Sequence, residues 1–356
     1  MLNFQKYYER VFYMPRNVEL DTVVISEAPI LEEIQILPNN STLTLRIERT
    51  GLRQFPQGLK YLAKLNWLHA RENQFTQLTL ASFSSAQRFS QMHLNDNKIN
   101  LLIDSNHTVS IVNLDIGNNQ LTTVNMAFFG QITNLLFLNL ANNRIIRVYS
   151  TTPVTLPALK YLALHLNILE SLRMQAVSFP VLQTLSLRRN NLTYIPQNLT
   201  NYPALELLDL GENKLTLVDL SSIRQVKNLV NLNLDRNMIT SLSASSPLQH
   251  DALRVLNVDG NKLVQVNFTG CIFPSLRYIY AGQNNLTGVP SNVFQLFPTV
   301  VLYMPGNPTS CDSVMQFKKQ LLDRNLVTIE PSWTPSCPKN AILIKMNSQV
   351  NVCCIR

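Results

Sequence analysis

The chain is 356 residues long, 46% apolar and 15% charged, with five cysteines and a net charge of +8. No stretch of 18 or more apolar residues occurs, which excludes a transmembrane helix within this sequence. Lysines and arginines are dispersed without a basic run, so the pI near 9.3 reads as solubilising charge and no nucleic-acid partner is expected.

Length alone would suggest two or three domains. Residues 1–19 are rich in aromatics (Phe4, Tyr7, Tyr8, Phe12, Tyr13) and are expected to form an apolar N-terminal cap. Lys6, Glu9 and Arg10 interrupt them, so the segment does not read as a secretory signal. From about residue 20 to 310 one motif recurs. Its clearest copy is LELLDLGENKLTLV, with Leu205, Leu208, Leu210, Asn213, Leu215 and Val218 at fixed offsets. Aligned on the asparagine, it returns at Thr50, Asn73, Asn97, Asn119, Asn143, Asn167, Asn190, Asn213, Asn237, Asn261, Asn284 and Asn307, every 22 to 24 residues. A weaker copy around Leu20–Ile30 puts Ala28 in the asparagine column. A period of this length marks a solenoid, which overrides the estimate of several domains.

Alternating leucines place their side chains on one face of a short strand. Each coil has room for one such strand, so successive coils stack into a parallel sheet, and each borrows half its core from its neighbours. The asparagine stands where the chain leaves the strand. Its amide carries donors and an acceptor for backbone groups of that turn and of the next coil, so a buried column of asparagines implies a hydrogen-bond ladder. Ala28 and Thr50 break the column at one end, as terminal repeats do.

LxxLxLxxNxLxxV closely resembles the leucine-rich repeat, of the typical 22–24-residue class. The resemblance implies an α/β solenoid: a curved right-handed horseshoe of about 12 or 13 coils, with a parallel sheet on the concave side. The convex side is expected to be irregular or briefly helical, in segments such as AKLNW, QITNLL and SSIRQVKNL. Prolines 157, 180, 203 and 274 precede strands, where a missing N–H is tolerated. LRQFP, LTYIP and LTGVP approach a plant-like pattern that the other repeats lack. Extracellular members commonly carry a cysteine-bearing N-terminal cap. Here the first cysteine is Cys271, so this cap works without disulfides or the chain has more sequence upstream.

Residues 311–356 change character. LYMPGNPTSCD resembles the start of a cysteine-bearing C-terminal cap, although the family's usual CxC is missing. That resemblance implies disulfides among Cys311, Cys337, Cys353 and Cys354, either Cys311–Cys337 or Cys311 with one of the vicinal pair. A stapled cap would in turn imply an oxidising compartment. Val314, Phe317, Leu321 and Leu322 share one helical face, and AILIKMNSQVNVCCIR reads as a hairpin. There is no CxxC, so no zinc site is expected.

Residues six, four and two before each asparagine face outward from the sheet, on the concave side. They give the candidate ligand-binding residues Trp67, His69, Arg71, His93, Phe137, Tyr161, His165, Arg188, Asp209, Asp235, Asp259, Tyr278, Tyr280 and Tyr303. Aromatic and arginine side chains on a rigid surface are the types favoured at binding hot spots. The three aspartates read as an acidic interval for a basic group of the ligand. His69, His93 and Asp115 fall on successive coils, but polar stripes of this kind are ordinary surface and no metal or other cofactor is expected. No G-x-S-x-G, P-loop, kinase signature or HExxH occurs, so no enzyme is expected.

Seven N-x-S/T sequons, at Asn39, Asn40, Asn106, Asn191, Asn198, Asn267 and Asn285, match what an Asn-, Ser- and Thr-rich composition gives by chance. The family offers two functions. One is the ligand-binding ectodomain, whole or fragment, of a receptor-like protein, extracellular or at the cell surface and binding a protein or peptide. The other is a cytoplasmic scaffold regulating a phosphatase, a GTPase or a similar enzyme.

Overall fold

A computed structural model describes residues 1–16, 19–39, 41–197, 199–329, 337, 340–347 and 349–356. They form two compact units, Met1–Thr184 and Leu185–Arg356. The sequons at Asn40 and Asn198 lie outside the described residues.

The first unit is a stack of coils on one parallel sheet. Its strands are Leu2–Gln5, Thr22–Ala28, Thr44–Thr50, Trp67–His69, Gln91–His93, Asn113–Asp115, Phe137–Asn139 and Tyr161–Ala163. Each pairs with the next in register, one motif position on its counterpart. The central leucine or methionine of each short strand is buried (Leu68, Met92, Leu114 and Leu138 at 0%), while its two neighbours face out. Burying such a side chain contributes about 1.5–3 kcal/mol, and every coil repeats the gain. Smaller ladders run along other sides of the coils, such as Gln77–Thr79 with Leu101–Ile103 and Thr123–Asn125 with Arg147–Tyr149. Short 3₁₀ turns follow, each started by a side-chain cap: Thr79 accepts from the N–H of Ala81, and Asn125 from that of Ala127.

Residues 1–19 do more than cover the stack. Leu2–Gln5 joins the main sheet beside Thr22–Ala28, and Val11–Met14 pairs with Glu33–Ile36. They make a further coil, closed by a cluster in which the Phe4 and Phe12 rings lie 4.7 Å apart and Tyr7 packs edge-on against both. In this coil Leu2 keeps the leucine column, in register with Val23, but Phe4 takes the next apolar place and no asparagine follows, so its repeat phase is hard to see in the sequence.

In the second unit the sheet comprises Leu207–Asp209, Asn231–Asn233, Val255–Asn257, Tyr278–Tyr280, Val301–Tyr303 and Leu326–Val327. The last of these lies inside the expected cap segment and pairs with Leu302 and Tyr303. Strand Thr184–Ser186 falls at the boundary of the units. The expected amphipathic helix is two short ones, Cys311–Met315 and Lys318–Leu322, interrupted at Phe317. Val314 and Leu321 are buried as anticipated, but Leu322 is 41% exposed, because the break turns it away from the core. The hairpin is present, Ile342–Lys345 antiparallel to Asn351–Cys354. Two disulfides close this end, Cys311–Cys354 and Cys337–Cys353. Cys311 therefore pairs with one of the vicinal cysteines, and the alternative pairing with Cys337 does not occur.

The asparagine column is a hydrogen-bond ladder. Asn213 donates through Nδ2 to the carbonyls of Leu187 (3.0 Å), Leu210 (3.0 Å) and Gly211 (3.1 Å), and its Oδ1 accepts from the N–H of Leu192 (3.0 Å). Asn237 repeats the pattern one coil on, with Leu210, Leu234, Asp235 and Leu215. All eleven asparagines from Asn73 to Asn307 are buried. Thr50 ends the column chemically: its hydroxyl donates to Oδ1 of Asn73 (2.6 Å) and accepts from the N–H of Leu52 (3.3 Å).

The residue before each ladder position is left-handed, a feature the sequence conceals. Glu72, Asp96, Asn118, Asn142, Leu166, Arg189, Glu212, Arg236 and Gln283 all have φ between 50° and 60°, and only Gly260 and Gly306 bring glycine to this place. Left-handed backbone costs an L-residue roughly 1–2 kcal/mol, a cost that the ladder and the coil closure override.

Candidate functional site

The open face of the first unit's sheet carries Trp67, His69, Arg71, His93, Phe137, Tyr161 and His165. Trp67, Phe137 and Tyr161 are each about two-fifths exposed, standing on three-residue strands whose central residues are buried. Parallel in-register pairing places His69 against His93, and their rings stack at 4.9 Å and 5°. Trp67 tilts over His69 at 5.6 Å, and Phe137 over Tyr161 at 6.0 Å. Burial lowers the His69 pKa, and the imidazole of His93 and the guanidinium of Arg46 lower it further, so His69 is neutral at pH 7. His165 is half-buried, and its carbonyl accepts from the Asn142 N–H (3.0 Å) and the Asn167 amide (3.3 Å).

Glu48, absent from the sequence-based candidates, organises this end. Its carboxylate is buried beneath Arg71 (3.2 Å to Nε) and Arg46 (3.6 Å), fixing both guanidinium groups. Its partner Arg71 stands one repeat period away, which is the signal that could have found it. Asp115 is likewise occupied, accepting from the N–H of Gly117 and from Asn139. Among the described residues no group of three His, Cys, Asp or Glu side chains is placed to hold a metal.

In the second unit the expected acidic interval is filled from within. Arg188 clamps Asp235 through Nη1 (2.9 Å) and Nη2 (2.7 Å), bonds Glu212 through Nε (3.0 Å), and lies 3.6 Å from Asp209. Asp235 is buried, so the basic group anticipated from a ligand is already supplied by Arg188. The clamp raises the pKa of Arg188, and hydrogen bonds from Arg189 and Arg188 lower that of Glu212. Gly211 makes room for it: a Cβ there would come within 2.5 Å of Oδ1 of Asp235 and collide with the guanidinium. Asp259 accepts from the Gly282 N–H at 2.6 Å. Beside it Tyr278, Tyr280 and Tyr303 stack in near-parallel planes, 6.2 Å and 5.0 Å apart. Burial first, then the neighbouring tyrosines, raises the pKa of Tyr280. A small cleft of about 140 Å³ opens next to this stack between Asp235, Asn257, Asp259 and Gln283.

A family model described as "Leucine rich repeat" matches residues 157–215 and 203–263. No curated protein matches the chain by sequence. Among solved structures it is similar to a chain of the octameric complex of Latrophilin 3, Unc5D and FLRT2, in which FLRT2 supplies the leucine-rich repeats. That similarity has TM-score 0.63 at 20% identity and covers 81% of this chain and 89% of the other. It is also similar to the leucine-rich repeat domain of APL1B, with TM-score 0.51 at 18% identity, over 92% of this chain and 80% of that one. The chain has the leucine-rich repeat solenoid fold, which typically mediates protein–protein recognition, and its residues 157–263 match the family model.

Proposed function

We propose that this chain is a non-enzymatic recognition module that takes a protein or peptide ligand on the open face of its sheet. In this reading it is the ligand-binding part of a receptor-like signalling protein, working outside the cell or at its surface. The observation that carries the reading is the set of exposed aromatic side chains, Trp67, Phe137, Tyr161 and Tyr278, held on strands with buried centres. Side chains fixed in this way lose little entropy on binding, so their contact area converts efficiently into affinity. Arg46 and Arg71, tethered by Glu48, offer pre-positioned donors beside Trp67. The compartment is argued from the two disulfides, which persist in oxidising surroundings and are rare in the cytosol. They favour the extracellular reading over the cytoplasmic scaffold.

The test is a binding screen of the purified chain against secreted and cell-surface proteins, followed by affinity measurements on variants. Trp67→Ala and Tyr280→Ala should each weaken a ligand by about 2 kcal/mol or more, the size expected of aromatic anchors. Leu101→Ala, at an exposed position off the sheet face, should leave affinity unchanged. If Leu101→Ala weakens binding and neither aromatic substitution does, the face assignment is wrong.

A further inference from the structure

We infer that Asn106, Asn267 and Asn285 carry N-linked glycans, whereas the sequon at Asn39 stays bare. The inference rests on the extracellular reading above, since the modification needs the secretory route. Composition alone accounts for the number of sequons, so their spacing in sequence decides nothing. Their placement in the fold does.

Asn39 is 2% exposed, and its Oδ1 accepts from the N–H groups of Ser41 (2.9 Å) and Thr42 (3.4 Å) and from the Ser41 hydroxyl (2.9 Å). Ser41, the third residue of that sequon, is half-buried, and its hydroxyl is taken up by Oδ1 of the same Asn39. A sugar on Nδ2 of Asn39 has no room and would break the turn. Asn106 and Thr108 are both exposed, in the irregular segment between Leu101–Ile103 and Asn113–Asp115. Asn267 and Thr269 are exposed too, and Oδ1 of Asn267 accepts from the Thr269 N–H at 2.9 Å, which turns Nδ2 free to solvent. Asn285 and Thr287 are exposed just after ladder residue Asn284. Asn191, by contrast, is half-buried.

The transfer is a substitution at carbon. Nδ2 attacks the anomeric carbon of a lipid-diphosphate-linked oligosaccharide, a C–N bond forms, the C–O bond to the diphosphate breaks, and Nδ2 gives up a proton as the lipid diphosphate leaves. All three proposed sites lie off the outward columns of the sheet. Those columns contain Asn95, Asn113, Asn139, Asn231, Asn233 and Asn257, yet none of these is followed two residues later by Ser or Thr. The glycans would coat flanks and turns and leave the sheet face bare for a ligand.

The experiment is peptide mapping of the full chain secreted from eukaryotic cells, after enzymatic glycan release in isotopically heavy water, which turns each formerly glycosylated asparagine into labelled aspartate. Thiol titration of the same sample runs alongside. The expected result is label at Asn106, Asn267 and Asn285, none at Asn39, and one free thiol after denaturation, from Cys271. Absence of label from any of the three, in protein with one free thiol, overturns the glycan assignment and leaves the compartment reading standing. Label at Asn39 also overturns it. Five free thiols with no label would sink both.

Discussion

The repeat coils and the C-terminal segment achieve closure by different chemistry. In the coils, a ladder asparagine such as Asn213 ties its turn to the preceding coil by two hydrogen bonds and braces its own turn by two more, and apolar columns fill the space between. Segment 311–356 has no asparagine column. It has two short helices, a hairpin and two disulfides in its place. A periodic stretch can spread its stabilisation over many weak, identical contacts. An aperiodic end must hold itself with a few strong ones.

The sharpest way to break that contrast is to remove the staples. Cys311–Cys354 closes a separation of 43 residues. The chain-entropy relation makes such a closure worth about 4 kcal/mol. Cys311→Ala with Cys354→Ala should therefore release the hairpin Ile342–Lys345/Asn351–Cys354 to proteolysis and hydrogen exchange. The ladder amides of the first unit should keep their protection. If hydrogen exchange shows both regions opening together, the two are not independently held.

The next effect is smaller and falls in the coils. Asn213→Ala removes four hydrogen bonds and leaves the buried N–H of Leu192 unpaired, while the carbonyls of Leu187, Leu210 and Gly211 keep their bonds from Asn190, Asn237 and Arg189; it should cost about 1–3 kcal/mol in urea melts. Asn285→Ala, an exposed neighbour of the same ladder, should cost almost nothing. Equal melts for the two would remove the ladder as a source of stability.

These two regions also differ in how far they could be read in advance. The motif carried the coils because the same six positions repeat, so one well-formed copy interprets the rest. The left-handed residue before each asparagine was hidden, because residues as different as Leu166, Glu212 and Arg236 occupy it. The coil at Leu2–Gln5 escaped because only Leu2 keeps its motif place, with Phe4 at the next apolar position and no asparagine after it. Of the candidate site, outward direction was legible from strand alternation, and Trp67, Phe137, Tyr161 and Tyr278 are exposed where the pattern put them. Pairing was less legible: Arg188 reaches past the adjacent coil to Asp235, two repeats on in the same column, and sideways to Glu212, and side-chain length decides which neighbour it takes. The disulfide partners were open, since no period relates Cys337 to Cys353.

A third test separates burial from the ladder. His250 is buried, with Nε2 at 2.9 Å from the Val226 carbonyl, and burial lowers its pKa below the ordinary 6.5. Between the folded pKa and 6.5 the unfolded chain binds more protons than the folded one, so stability should fall as pH drops through 6.5. The decline ends once the folded imidazole also protonates. One group contributes a slope of at most about 1.4 kcal/mol per pH unit. His250→Gln should flatten urea-melt stability between pH 7.5 and 5 relative to the parent; an unchanged slope would assign the acid sensitivity elsewhere.

The smallest effect sharpens the comparison inside the coils themselves, between positions that share a backbone conformation and differ in residue. Leu166 has φ 56°, and Gly260 at the corresponding place has φ 65°. Leu166 is 38% exposed, so removing its side chain sacrifices little burial. Asparagine tolerates left-handed backbone far better than leucine does. Leu166→Asn should then raise stability by up to about 1 kcal/mol. Gly260→Ala should lower it by a similar amount, since a Cβ there sits in left-handed backbone and only 3.2 Å from Cγ of Arg236. Opposite signs in paired thermal melts would show that each coil tolerates a strained residue for the sake of its ladder. If Leu166→Asn is neutral while Gly260→Ala destabilises, the cost at Gly260 comes from the contact with Arg236 and not from the backbone.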